Sequence, residues 1–214
     1  MGVVLDNLGL YAEGMRTTVA LTVLSFALAL VIGTAVATCR VSPVPPLRLA
    51  GAVWVEVLRN TPLLALTLLF FFGFPKIGIR FSAFPSGVIV LAAYTSAFVA
   101  ETVRAGIATV PAGQSEAARA LGLTFPGVLR VVVLPQAVRT VVAPLGSVFI
   151  ALIKNSAIIS ALSVRELVGI SDQLNTDTAR PVQVFLGTAV AYLILTLGSG
   201  RAIARLERKV AILR

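Results

Sequence analysis

The sequence predicts an all-α, polytopic membrane protein of five transmembrane helices, with a short helix lying across its cytosolic face. Three observations lead there. Of the 214 residues, 57% are hydrophobic and only 13% are charged, where a soluble domain has about 25% charged residues; the mean hydropathy is +0.96. Several long stretches carry no charge, and each approaches the ~20 apolar residues a helix needs to cross the hydrocarbon core. In the middle of the chain stands "EAARALGLTFPGVLRVVVLPQA" (Glu116–Ala137), whose glycines, prolines and charges mark a segment outside the membrane.

The whole chain, residues 1–214, reads as one membrane domain. The first span, about 17–38, fills the uncharged run between Arg16 and Arg40. Asp6 and Glu13 precede it without a basic n-region, so it is expected to remain in the mature protein rather than be cleaved as a signal. The second span, about 50–74, is interrupted by Glu56, Arg59 and Pro62. Its uncharged part is about 24 Å long as a helix, so it needs some of the preceding helix to cross. The third, about 82–103, follows the uncharged run between Arg80 and Glu101. The fourth, about 133–153, belongs to a stretch containing Arg139, Pro144 and Lys154, and the fifth, about 182–202, lies between Arg180 and Arg201. Charges and prolines at membrane depth are tolerated where they face protein or water. The two interrupted helices are therefore expected to line a pathway, and the three clean ones to face lipid or fill gaps.

Five spans put the termini on opposite sides, and the alternate loops sort the cations. One side has Arg40, Arg48, Arg104, Arg119, Arg130, Arg201, Arg205, Arg208, Lys209 and Arg214; the other has only Arg16, Lys76, Arg80, Arg165 and Arg180. Positive charge favours the cytosol. The N-terminus is thus expected outside the cell membrane and the C-terminus inside. Glu116–Ala137 then lies inside, and Val164–Arg180, with Glu166, Asp172 and Asp177, is an outer loop.

Composition also excludes classes. The net charge of +9 and pI near 11.0 do not indicate nucleic acid, because the basic residues form no recognisable binding module and long apolar runs separate them. Cys39 is alone and His is absent, so neither an intrachain disulfide nor a transition-metal site is expected. No Ser–Lys or paired-carboxylate cluster lies in a span, and no catalytic residue is assigned. The phosphate-cradling pattern G-x-x-x-x-G-K-[ST] is absent, so the chain is not expected to hydrolyse ATP.

In the punctuated segment, "GQSEAARALGL" offers an alanine-rich helix of about 114–122. Ser115 or Gln114 can begin it and Gly122 can cap its end. Glu116 and Arg119 can pair at i, i+3 or dock a partner. Pro126 and Pro135 bracket a second element that returns to the membrane. A plain connecting loop is the alternative. The order Glu116-Ala117-Ala118, three residues, Gly122, nine residues, Val132-x-Leu134-Pro135 resembles the EAA signature of permease subunits of bacterial ATP-binding-cassette (ABC) importers, with Val132 where that family has Ile.

The resemblance covers most of the chain. "RNTPLL" (Arg59–Leu64), "YTSAFVAETVRAGI" (Tyr94–Ile107), "LPQAVR" (Leu134–Arg139) and "KNSAI" (Lys154–Ile158) are similar to the polar amino-acid branch. "RVSPV" (Arg40–Val44) and "VAPLGS" (Val142–Ser147) bring it nearest to actinobacterial glutamate-uptake permeases. Five spans with the N-terminus outside is that family's minimal arrangement. The resemblance implies that the 114–122 helix is a coupling helix seated in a cleft of an ATPase subunit, with Gln114, Glu116, Ala117, Ala118, Arg119 and Gly122 as coupling residues. It implies two ATPase subunits, a second permease subunit, like or unlike, and an extracytoplasmic solute-binding protein. ATP and magnesium would be bound by the ATPase and no cofactor by this chain.

Candidate path residues are Arg59, Asn60, Thr61, Thr95, Ser96, Glu101, Lys154, Asn155 and Ser156. Asn60-Thr61-Pro62 frees backbone carbonyls inside a span, as broken transporter helices do near solute sites. Thr95, Ser96, Asn155 and Ser156 offer uncharged hydrogen-bonding groups, although Ser and Thr in spans also bond back to the preceding turn. Glu101 and Arg104 can neutralise each other at the membrane boundary or serve a gate. Lys154 must be paired, wet or snorkelled to the surface. The expected function is the translocation path of an ATP-driven amino-acid importer, glutamate or aspartate first, with glutamine, arginine or histidine as alternatives. A secondary transporter acting alone has only Glu56 and Glu101 as coupling acids.

Overall fold

The structure, a computed structural model, describes residues 2–210; Arg214 lies outside the described residues. All regular elements among them are helical. Helix α1 (Gly2–Asp6) joins α2 (Leu8–Val41) at Asn7, whose side-chain amide donates to Val3 O at 2.8 Å. At 34 residues, α2 is about 51 Å long and overshoots a ~30 Å hydrocarbon core. The expected span 17–38 is thus only its middle. One face of α2 is a row of small buried residues, Gly14, Thr18, Thr22, Ser25, Ala29, Gly33 and Ala37, the composition that lets helices approach closely in lipid.

Against that row lies α5 (Ala83–Ala108), the most buried of the long apolar helices. A Cβ on Gly33 would stand 2.6 Å from Val99 Cβ and 2.7 Å from Ser96 O, so the approach requires glycine. Ser25 Oγ donates to Val88 O at 3.2 Å across the same interface. Uncharged up to Ala100, α5 forms the centre of the bundle; of the two expectations for that span, facing lipid or filling gaps, the lipid-facing one is corrected.

Helix α3 (Pro45–Asn60) starts on two prolines suited to a first helical turn. The chain then breaks at Thr61-Pro62 and resumes as α4 (Leu63–Leu68), a π-helical turn (Leu69–Gly73) and a 3-10 turn (Phe74–Ile77). The halves Pro45–Asn60 and Leu63–Ile77 meet at 104°, so the segment expected as one span over 50–74 is two sharply angled pieces. Pro62 lacks the N–H that would continue α3, and the residue before a proline is pushed out of the helical region; Thr61 accordingly has φ −100° and ψ 132°. Val55 packs with Ala37, Ala97 and Ala100, whereas Leu63 packs with Leu21 and Leu91. The break therefore sits near the middle of α2's length.

After α5 come α6 (Ala112–Ala120), α7 (Phe125–Val128), a π-helical turn (Leu129–Val133) and α8 (Leu134–Asn155), which passes through Pro144 and tightens into a 3-10 turn (Ser156–Leu162). Both π turns lie just before a proline, Pro75 and Pro135, and the wider turn suits a residue that cannot donate and crowds the carbonyl four before it.

The stretch expected as the outer loop Val164–Arg180 contains helix α9 (Leu167–Thr178) instead. It buries Leu167, Ile170, Ser171 and Leu174 along one face against Tyr11 and Val184. Left-handed residues stop the elements on either side: Ser163 at φ 59° and Ala179 at φ 51°. The last helix, α10 (Pro181–Val210), is the least buried of the long helices. Its exposed Leu186, Val190, Leu193, Ile194 and Leu197 form an apolar face that suits hydrocarbon and not water.

Candidate coupling surface and translocation path

Helix α6 stands off the bundle. Thr109 ends α5, its hydroxyl donating to Gly106 O at 2.7 Å. Pro111, with φ −59° and ψ 135°, then starts α6 at Ala112, ahead of the expected Gln114 or Ser115 and without a side-chain cap. The far end is as the glycine suggested. Gly122 has φ +84°, its N–H bonds Arg119 O at 2.9 Å, and Leu123 N–H bonds Ala118 O at 3.1 Å. That pair of bonds is a Schellman cap, and nothing lies within 4 Å of a Cβ placed at Gly122. The glycine is there for its backbone conformation.

Ala118 is the buried anchor of α6, while Gln114, Glu116, Ala117 and Arg119 are exposed. Glu116 and Arg119 form no ion pair with each other among the described residues. Both line a groove of about 270 Å³ between α6 and the Val128–Val133 stretch. Sequence reasoning missed Leu121, which is 82% exposed. A large apolar side chain that bare, on the tip of a capped helix, marks a contact surface, and its position directly before the capping glycine was the available signal. Gln114 is tied by Gln136, whose Nε2 donates to Gln114 Oε1 at 2.6 Å.

At the break in α3, Asn60 Nδ2 donates to Glu56 O at 2.8 Å and to Glu56 Oε2 at 3.1 Å, and Thr61 Oγ1 donates to Val57 O at 2.7 Å. Thr61 satisfies the Val57 carbonyl that the broken helix leaves open, and Asn60 ties down the Glu56 carboxylate. Arg59 does not pair with Glu56. Its guanidinium lies 5.5 Å from the centre of the Phe98 ring and remains exposed.

Glu101 is held by Arg40 from α2 as well as by Arg104, whose Nε donates to it at 3.2 Å. The acid joins two helices and is already neutralised. Thr95 and Ser96, offered as path residues, are buried. Ser96 Oγ donates to Ala93 O at 2.6 Å and accepts from Trp54 Nε1 at 3.0 Å; they pack helices. Ser156 is buried too and bonds back to Ile153 O at 2.8 Å, while Asn155 is half-buried. Lys154 is exposed and lines a groove of about 570 Å³ between α8 and α10 with Thr196 and Arg201. Arg59, Arg139 and Lys154 are thus exposed, Glu101 is ion-paired, and Glu56 is exposed with a hydrogen bond from Asn60.

Glu166, expected in an outer loop, is fully buried. Its Oε1 accepts from Gly169 N–H at 2.8 Å, capping α9, and Oε2 accepts from the Tyr192 hydroxyl at 2.9 Å. Beside it Leu167 N–H donates to Thr18 Oγ1 at 3.2 Å. Burial pushes the Glu166 carboxyl above the usual carboxylate range, against the hydrogen bonds that favour its charged form.

Residues 16–212 match the family of binding-protein-dependent transport system inner membrane components. The chain belongs to that family. The permease is therefore embedded in a membrane, as its apolar helices require. It is 37% identical to the probable glutamine ABC transporter permease protein GlnM of Bacillus subtilis, over 98% of this chain and 97% of GlnM. It is 38% identical to the glutamate transport system permease protein GluC of Corynebacterium efficiens, over 91% of each. The crystal structure of an amino acid ABC transporter with histidines superposes with a TM-score of 0.91 at 35% identity, covering 96% of both chains. An inward-facing structure of the methionine ABC transporter MetNI, at 24% identity and a TM-score of 0.79, shares the fold.

Proposed function

We propose that this permease forms the translocation path of an ATP-driven importer of polar amino acids and that its substrate is glutamate or aspartate. The observation that carries the reading is the imbalance of available charge. Arg59, Arg139 and Lys154 are exposed on the broken and interrupted helices against one exposed acid, Glu56, which accepts from Asn60, while Glu101 is paired with Arg40 and Arg104. An anionic solute crossing a low-dielectric path is favoured by an excess of fixed cations over carboxylates. The glutamate permease named among its relatives supports the same substrate. Glutamine is the second reading, favoured by the name of the Bacillus relative.

The chain itself hydrolyses nothing; ATP and magnesium are bound by a pair of partner ATPase subunits. Their closure moves α6 through Glu116, Arg119 and Leu121, and the helices switch access from one side to the other. A second permease subunit and an extracytoplasmic binding protein complete the importer, with α6 cytosolic and the N-terminus outside. The test of substrate is competition in vesicles containing the complete complex, comparing radiolabelled glutamate with arginine and glutamine. Glutamate is preferred, and Lys154→Gln with Arg59→Gln lowers its uptake. Preferential arginine transport, or full glutamate uptake in the double variant, overturns the assignment.

A further inference from the structure

Helix α6 is joined to the rest of the protein by the packing of the buried Ala118 and by few polar contacts. Toward α5 the joint is Thr109–Pro111, non-helical chain that ends in the extended Pro111. Toward α8 there is one side-chain hydrogen bond, from Gln136 Nε2 to Gln114 Oε1 at 2.6 Å, and among the described residues no other side-chain hydrogen bond leaves α6. The same Nε2 donates to Val132 O at 2.9 Å, inside the π-helical turn. Gln136 follows Pro135 in the first turn of α8. One amide group thus holds the first turn of α6, the π turn and the foot of α8 together. π turns are rare and occur often at functional sites, and the bridge spans the one between α6 and α8.

We propose that Gln136 is a positioning residue, and that the Gln114–Gln136 bridge transmits displacement of α6 into α8. This rests on the reading of α6 as the element an ATPase moves. Without the bridge, α6 can follow the ATPase while α8 stays behind, so ATP is consumed with less transport.

The test uses the complete complex in proteoliposomes and reads amino acid imported per ATP hydrolysed. Gln136→Met and Gln114→Met keep the side-chain length and remove the bond. Each is expected to lower the ratio about fivefold, the size of one hydrogen bond's net contribution. The double variant is expected to lose no more than either single one, because the pair acts as a unit. Gln136→Lys keeps a donor for Gln114 Oε1 and Val132 O, so it loses less of the ratio than Gln136→Met. An unchanged ratio in Gln136→Met, additive losses in the double variant, or the same loss in Gln136→Lys as in Gln136→Met overturns the relay. Glu116→Lys run beside them separates the two readings. If it abolishes uptake while Gln136→Met transports normally, the relay fails and the coupling surface stands; if neither has an effect, both fail.

Discussion

Tyr192 of α10 donates its hydroxyl hydrogen to Oε2 of Glu166 at 2.9 Å, inside the protein, where Glu166 also caps α9. Glu166→Ala leaves the Gly169 N–H and the Tyr192 hydroxyl without this acceptor and is expected to cost about 2 kcal/mol. The acid also makes stability depend on pH. Because burial raises its folded pKa, the folded state holds the proton more tightly than the unfolded state, whose pKa is near 4.3. The contribution of Glu166 is then greatest below that value and declines as pH rises through the folded pKa. Thermal unfolding of the detergent-solubilised protein should show wild type losing ground to Glu166→Gln as pH rises from about 4 to 8. A constant difference, or one that grows in favour of wild type, contradicts this assignment.

The close approach of α2 and α5 gives a second prediction. Gly33→Ala drives a methyl into Val99 and the Ser96 carbonyl and is expected to cost about 1–3 kcal/mol. Val99→Ala in the same chain should recover part of the loss, since Val99 can be cut back and the Ser96 backbone cannot. Wild-type stability in Gly33→Ala, read by thermal unfolding, would show that the helices are not this close.

At the end of α6 the backbone of Gly122 is left-handed, and an L residue there costs about 1 kcal/mol. Gly122→Ala should loosen the last turn of α6, visible as faster amide exchange at Leu121–Leu123, and Gly122→Asp should add a charge to the contact surface and lower uptake further. Unchanged exchange in Gly122→Ala would mean the cap does not hold the helix end.

How much of this was readable beforehand depends on the signal each element has. An uncharged run shows that a helix is apolar but not what it faces. The uncharged run before Glu101 indicates a helix, and Ala83–Ala108 is one, but it leaves open whether that helix faces lipid or fills the bundle; the clue was its small residues Ser86, Gly87, Ala92, Ser96, Ala97 and Ala100, all buried. Pro62 announced a break but not 104°, an angle that depends on how Leu63 packs against Leu21 and Leu91. Helix α9 was hidden because its Ser, Thr, Asn and Asp residues read as loop, although Leu167, Ile170, Ser171 and Leu174 repeat at helical spacing. At the coupling surface the glycine cap was legible from one residue, whereas the Gln114–Gln136 bridge joins positions 22 apart and has no local signature. Thr95, Ser96 and Ser156 are polar in composition alone; their hydroxyls are buried among helices, a matter of packing direction.

Orientation is testable directly. In a Cys39→Ser background, Arg119→Cys should be shielded from a membrane-impermeant thiol reagent on intact cells, and Asp172→Cys should be labelled. Labelling of Arg119→Cys without Asp172→Cys would invert the topology.

The central claim is that a partner ATPase drives transport through α6, and Glu116→Lys tests it most directly. Glu116 is exposed, unpaired among the described residues, and lines the groove beside Arg119, so its replacement leaves folding intact. Glutamate uptake and substrate-stimulated ATP hydrolysis are measured together in proteoliposomes of the complete complex. The account predicts an inserted permease in which both activities fall at least about tenfold, the loss expected when a charge in a docked surface is reversed. Normal assembly with wild-type uptake and hydrolysis in Glu116→Lys would contradict it.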